Sequence, residues 1–332
     1  MRTAKRMNRV LWLALSFLIV ACSPARPASF WRASAASREG YVEGASAGVR
    51  LFYQLHGTGR EPVVFVQGGP GADLRTVAPN FEPLERGRTV IHYDHRGGGR
   101  SSLPDDTALL HISYFVEDLE AVRRHFGLER MTIVASSFGP IIAALYAGKY
   151  PERVERMVFV APTPPFQRFG EQYMKTAYGA LTHAQRTRLR EIFQSLPTAE
   201  DPIALCRELE ELMGPQTVAP PESRTRRKVD SCTKESIYGM TKTGLITPRT
   251  VKEDEFLAAL GKISAPTLIL HGDKDPYPLA GAELVAQHIR TSRLIVIPDV
   301  GHSPHTEKTE EVFRAIDEFL ARPASTTLGP RP

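Results

Sequence analysis

No GxxxxGK[ST] phosphate loop, no CxxC pair and no HExxH signature occurs in the 332 residues. Phosphate-loop nucleotide chemistry and the common zinc spacings therefore lack a carrier. No apolar run is long enough to span a bilayer: residues 11–20 form the longest N-terminal stretch, roughly half of the ~20 residues that a membrane-crossing helix needs. Cysteine is scarce, at three copies. A composition of 42% hydrophobic and 24% charged residues excludes a disordered, collagen-like or polytopic membrane chain. A net charge of +5 invites a nucleic-acid reading, but Arg2, Lys5, Arg6 and Arg9 supply four of those charges and leave a remainder of +1. A nearly neutral body has no basic face with which to hold phosphates, so no nucleic-acid partner is expected.

The four N-terminal cations precede the apolar run, the layout of a secretory signal. The run ends at Ile19-Val20-Ala21-Cys22, which resembles the bacterial lipoprotein cleavage box. That resemblance implies a signal peptide over 1–21, lipidation of Cys22, and a chain anchored in the bacterial cell envelope, facing a non-cytoplasmic compartment. Residues 22–38, rich in Ala, Ser, Pro and Arg, then form a flexible tether. With Cys22 lipidated, Cys206 and Cys232 remain as a pair where disulfides persist, and a bridge between them is a candidate rather than a deduction.

From residue 41 the pattern is first that of a hairpin, with strands at 40–43 and 49–55. Short apolar runs at 63–66, 90–93, 131–135, 157–160, 267–270 and 294–297 then predict strands buried on both faces. Helical spacing of apolar residues at 114–126, 141–150 and 310–320 lies between or after them. Alternation of this kind predicts an α/β fold with a mostly parallel central sheet, helices on both faces, and ligands gathered at the carboxyl ends of the strands. Between 163 and 250 there is no buried strand, only helical stretches such as 183–194 and 203–213, broken by Gly214-Pro215 and Pro220-Pro221. This interval is expected to be an inserted helical cap, leaving 39–162 and 251–321 as the core and 322–332 as a disordered tail.

The chemistry concentrates at three strand ends. Ala135-Ser136-Ser137-Phe138-Gly139 is a GxSxG-like elbow with alanine in the first place. The chain doubles back so sharply there that the residues two before and two after the nucleophile must be small. Ser137 satisfies this. Ser136 would require Val134 and Phe138 to be the small residues. A serine hydroxyl needs a base, and the base needs a group that fixes its tautomer. An acidic turn, His271-Gly272-Asp273-Lys274-Asp275, follows the strand at 267–270, and His302 follows the strand at 294–297. Ser137, Asp275 and His302 are thus the candidate catalytic set, with Asp273 as the competing acid and His305 as the fallback base. The remaining histidines His92, His95 and His271 are expected to make structural hydrogen bonds, and His305 to be solvated.

In these features, and in Gly68-Gly69-Pro70-Gly71, Asp94-His95-Arg96-Gly97-Gly98-Gly99-Arg100-Ser101 and Gly301-His302-Ser303-Pro304 with Glu307, the chain resembles the α/β-hydrolase family, most closely its proline iminopeptidase-like branch. The resemblance implies an α/β-hydrolase fold and selects Asp275 over Asp273. It also points to the amides of Gly69 and Phe138 as the oxyanion hole. One departure is Gln67, where the branch has histidine before the glycines; an amide there can still brace the loop. The branch implies removal of an N-terminal residue from a small-molecule or short-peptide substrate, with no metal or organic cofactor required. An N-terminal ammonium needs carboxylates, and although the cap carries 13 basic against 10 acidic residues, Glu171 or Glu208 is a candidate partner. A carboxylesterase or lactonase is the alternative, and a non-catalytic lipid-anchored binding protein a third reading.

Overall fold

The computed structural model describes residues 38–217 and 230–321. The expected signal peptide, Cys22, nearly all of the tether and the expected disordered tail lie outside the described residues. Among the described residues no helix is long and apolar enough to cross a membrane.

In chain order the core begins with strands β1 (Glu39–Glu43), β2 (Arg50–Gly57) and β3 (Glu61–Val66), helix α1 (Leu74–Val77), a 3-10 helix over Ala78–Glu85, strand β4 (Arg88–Tyr93), helix α2 (Ile112–His125), strand β5 (Met131–Ser136), helix α3 (Gly139–Lys149) and strand β6 (Val154–Val160). Four helices follow: α4 (Gln167–Gly179), α5 (His183–Ser195), α6 (Pro202–Thr217) and α7 (Lys234–Ile246). The core resumes with α8 (Glu253–Lys262), β7 (Thr267–Gly272), α9 (Leu279–His288), β8 (Ser292–Ile297), α10 (Pro304–Glu307) and α11 (Thr309–Ala321).

The eight strands form one sheet in the order β1-β2-β4-β3-β5-β6-β7-β8. The first three in that order pair antiparallel, and from β4 onward every pairing is parallel. Each central strand is apolar at successive positions because both faces are covered. Val64, Val66, Ile133, Ala135, Met157 and Phe159 pack against α2, α3, α8 and α9. Val63, Phe65, Val134, Val158 and Val160 pack on the other face against Phe81, Leu84 and the α11 residues Val312, Phe313 and Ile316. Truncating Ile133, Met157 or Ile316 to alanine costs about 2 to 5 kcal/mol.

One strand departs from the expectation of burial on both faces. In β8 only the end residues Ser292 and Ile297 are buried, because β8 closes the sheet at its edge and exposed Arg293 suits such a position.

Helix α7 lies directly on the glycine turns of the core. A Cβ on Gly71 would stand 2.2 Å from the Gly239 carbonyl oxygen, and Thr243 donates to the Gly97 carbonyl at 2.9 Å. Cys206 of α6 is bonded to Cys232, two residues before α7. The helical insertion is thus tied both to itself and to the loops that surround the carboxyl ends of β3 and β4.

Candidate active site

The β5–α3 turn places Ser137 at a backbone φ of 54°, a left-handed conformation that is strained for a residue with a Cβ. Neighbours hold it there: Ser137 N donates to the Val160 carbonyl at 2.9 Å, and Thr163 N donates to the Ser137 carbonyl at 3.1 Å. The small residues around the serine are steric necessities. A Cβ at Gly139 would come within 2.1 Å of the Val66 carbonyl oxygen, and one at Gly68 within 2.6 Å of the Ser137 Cβ. Ala135 is fully buried.

Two loops from the far half of the sheet meet this turn. His302 Nε2 lies 3.0 Å from Ser137 Oγ, and His302 Nδ1 lies 2.8 Å from Asp275 Oδ2. The Asp275 side chain is wholly buried, while that of His302 keeps 18% exposure. Asp275 Oδ1 accepts from Tyr277 N at 2.9 Å, which leaves Oδ2 aimed at the imidazole. The loop carrying His302 is itself pinned by buried Glu307, whose two carboxylate oxygens accept from Gly301 N at 2.8 Å and Ser303 N at 2.9 Å. Asp273, the competing acid, turns away and accepts from Lys274 and from Val300 N. Tyr173 of α4 stacks on Tyr277 at 4.5 Å, and the Tyr277 ring lies 5.3 Å from that of His302, so cap packing supports the acid–histidine loop.

The glycine loop after β3 forms the opposite wall. Gly69 adopts φ 61° and its carbonyl is engaged within the loop, accepting from Ala72 N at 2.7 Å. Gln67 is buried and donates through Nε2 to the Ala72 carbonyl at 2.8 Å, so the amide braces the loop across its own turn. Asp94 supports the loop from below, accepting from Leu74 N at 2.6 Å and Arg100 N at 2.9 Å. Phe138 directly follows Ser137 as the N-cap residue of α3.

A cavity of about 240 Å³ opens over these groups, lined by Gly68, Gly69, Ser137 and His302 from the core and by Glu210, Ser231, Ser236 and Met240 from the helical insertion. A larger cavity of about 450 Å³ between α7 and the Gly97–Gly98–Gly99 turn is lined by none of the three candidate catalytic residues; Ser137 and His302 line the smaller one.

Neither acid expected to receive an ammonium group faces this cavity. Glu208 is taken by Arg188 of α5 at 2.6 Å, and Glu171 accepts from Gln167 on the surface of its own helix. The carboxylate that does line the cavity is Glu210, which also accepts from the Ser231 hydroxyl. Glu208 and Glu210 lie two residues apart on α6 and therefore point to nearly opposite sides of it; helical periodicity alone does not say which side meets the site.

The histidines outside the catalytic set also differ from expectation. His305 is partly exposed at the start of α10 and its ring stacks on Phe81 at 4.2 Å. His92 and His95 are buried with no hydrogen-bond partner on either ring nitrogen among the described residues, and contact aromatic rings instead. His271 alone behaves as anticipated, with Nε2 3.2 Å from the Tyr277 carbonyl. Burial lowers its pKa.

Comparison with known proteins gives concordant likenesses. A family profile described as alpha/beta hydrolase fold matches residues 61–309. The proline iminopeptidase of Saccharolobus solfataricus is 27% identical over 282 residues, covering 82% of this chain and 89% of that protein. The proline iminopeptidase of Lactobacillus helveticus is 28% identical over 294 residues, with 82% and 95% covered. Among solved structures, a thermophilic esterase from Thermogutta terrifontis superposes with a TM-score of 0.62 at 22% identity, covering 87% of this chain and all of that one.

Proposed function

The chain belongs to the alpha/beta hydrolase family and is a hydrolase; from that premise we propose that it is a serine hydrolase working through an acyl-enzyme on Ser137, and that its substrates are short peptides or small amides with a free amino terminus. The observation that carries the catalytic reading is the continuous relay Ser137 Oγ–His302 Nε2 at 3.0 Å and His302 Nδ1–Asp275 Oδ2 at 2.8 Å.

Asp275 holds the Nδ1–H tautomer, so the Nε2 lone pair faces the serine hydroxyl. As Ser137 Oγ attacks the carbonyl carbon, its proton passes to Nε2, and Asp275 stabilises the imidazolium that results. The carbonyl oxygen becomes an oxyanion that the Gly69 and Phe138 amides receive, each donor contributing about 3 to 4 kcal/mol to the transition state. His302 then protonates the leaving amine, and water deacylates the enzyme by the same route in reverse.

Glu210 favours an amine substrate. A carboxylate lining the same cavity as the serine suits an α-ammonium group next to the scissile bond, and the two proline iminopeptidase relatives agree with it. A carboxylesterase or lactonase is the second reading, supported by the Gln67 departure and by the likeness to an esterase structure.

The decisive experiment is labelling by a serine-directed fluorophosphonate, expected in the wild type and lost in Ser137→Ala. Label persisting in that variant rejects the nucleophile. Turnover of prolyl-anilide beside a short acyl ester separates the two substrate readings: an inert anilide beside a hydrolysed ester selects the esterase.

The sequence Ile19-Val20-Ala21-Cys22 further supports lipid anchoring through Cys22. Several acyl chains at about 0.8 kcal/mol per buried methylene hold such an anchor stably. Metabolic palmitate labelling that survives Cys22→Ala would reject it.

A further inference from the structure

A cluster outside the catalytic cavity combines two imidazoles and a carboxylate. His56 lies on β2 opposite Val90 of β4, and His92, two residues further along β4, shares that face of the sheet. The two rings meet edge to face at 4.8 Å. Glu85 ends the 3-10 helix Ala78–Glu85 and puts Oε1 3.1 Å from His56 Nδ1. The candidate donor atoms of His56, Glu85 and His92 all lie within 4.8 Å of one another.

We propose that His56, Glu85 and His92 form a binding site for a divalent transition-metal ion of the zinc type. Three observations carry this. The ligand set is chemically selective, since two imidazoles and a carboxylate suit zinc and its neighbours, whereas magnesium and calcium demand oxygen. His92 is 1% exposed, and both its ring nitrogens lack a hydrogen-bond partner among the described residues, so a buried lone pair faces the cluster unused. His56 and Glu85 retain 29% and 22% side-chain exposure, which leaves an entry path and room for a water molecule as fourth ligand.

His56 presents Nδ1 to the metal by carrying its proton on Nε2. Zinc–ligand bonds of about 2.0 to 2.1 Å give a tetrahedral edge of roughly 3.3 Å. The His56–Glu85 pair already approaches that spacing, and these two partly exposed side chains have the freedom to close on His92.

The site has a structural consequence at the catalytic cavity. A metal here clamps the end of the 3-10 helix to the sheet, and that helix carries Asn80 and Phe81, which line the cavity. Phe65 bridges the two places, 5.0 Å from the His92 ring and 4.4 Å from that of Phe81.

The test uses tag-free, chelator-stripped full-length protein titrated with zinc chloride by calorimetry, with zinc-edge anomalous scattering from soaked crystals. The expected result is one equivalent bound among these three residues, a melting temperature raised by zinc and restored by chelator, and affinity weakened by about tenfold or more in His56→Ala and Glu85→Gln. Both substitutions lie at the surface side of the cluster and spare the buried ring, and ester turnover is expected to persist in them. Unchanged zinc affinity in the double variant, or an anomalous peak only at His302, overturns the site.

Discussion

The hydroxyl of Ser231 donates to the carboxylate of Glu210, joining two segments of the helical insertion at the wall of the catalytic cavity. This contact holds the acid, which sits on α6, at the wall of the cavity that Ser137 also lines. Glu210→Gln removes the charge but keeps the shape and the hydrogen bond. A charged hydrogen bond is worth about 1.5 to 3 kcal/mol, so KM for prolyl-anilide should rise roughly ten- to hundredfold, with KM for an uncharged acyl ester unchanged. Equal effects on both substrates would show that Glu210 does not recognise an ammonium group.

The covalent bond between Cys206 and Cys232 lies beside the same contact. Cys206 is one helical turn before Glu210 on α6, and Cys232 directly follows Ser231. The bridge therefore fixes the loop against the helix at the point where the acid is aimed. Closing a loop of 26 residues contributes about 3 kcal/mol in the chain-entropy account. A Cys206→Ser, Cys232→Ser double variant should melt at a lower temperature and show a raised KM for the anilide. Its fluorophosphonate labelling of Ser137 should persist, because the relay residues lie wholly within the core. Loss of labelling would mean that the bridge supports the core rather than the cavity wall.

Asp275 and Asp273 make opposite predictions. In Asp275→Asn the amide presents N–H or oxygen to His302 Nδ1 according to its rotamer, but Tyr277 N already requires an acceptor at the Oδ1 position. The amide nitrogen is thus turned to the imidazole and forces the tautomer that cannot accept the serine proton. A fall of about 10⁴ in kcat is expected. Asp273→Asn, whose side chain accepts from Lys274 and from Val300 N, should stay close to wild type. Steady-state kinetics on the same ester decides between them, and comparable losses in the two would undo the assignment of the acid.

The legible part of the fold was the part whose residues obey one constraint. Strands covered on both faces carry runs of successive apolar residues, and β3 to β7 were visible for that reason; β8, half-open at the sheet edge, is buried only at its ends. Helix α8 offered the spacing Phe256, Ala259, Leu260, a usable signal. Helix α9 instead buries Gly281, Ala282 and Val285, small residues that leave little amphipathic contrast. Ser137, Asp275 and His302 could be read because each follows a strand, and strand ends in a parallel sheet share a rim. Glu210 could not, since its orientation depends on how α6 packs against Ser231 and α7, a tertiary relation with no local period. The pairing of His92 with His56 was equally hidden: it depends on the β2–β4 register.

The pH dependence of stability should follow the buried groups of β4 and the turn after it. Burial pushes the pKa of His95 down to about 3 and holds His92 well below its ordinary 6.5, while burial pushes Asp94 up to about 7. In the unfolded chain the imidazoles take up protons near 6.5 and the carboxyl near 3.9. Between about pH 6 and pH 4 the unfolded state therefore binds a proton that folded His95 refuses, a loss of about 1.4 kcal/mol of stability for each unit of acidification, and the folded state binds one, on Asp94, that the unfolded chain has released, which offsets it. The lowered His92 acts on the same side as His95, so stability falls as pH drops below 6.5. His95→Phe keeps an aromatic ring against Tyr93 and Phe115 and deletes the proton that His95 refuses. Its urea midpoint should accordingly change much less than that of the wild type between pH 6 and pH 4. Parallel losses in the two proteins would show that His95 is protonated in the folded state, through a partner that its buried ring does not have among the described residues.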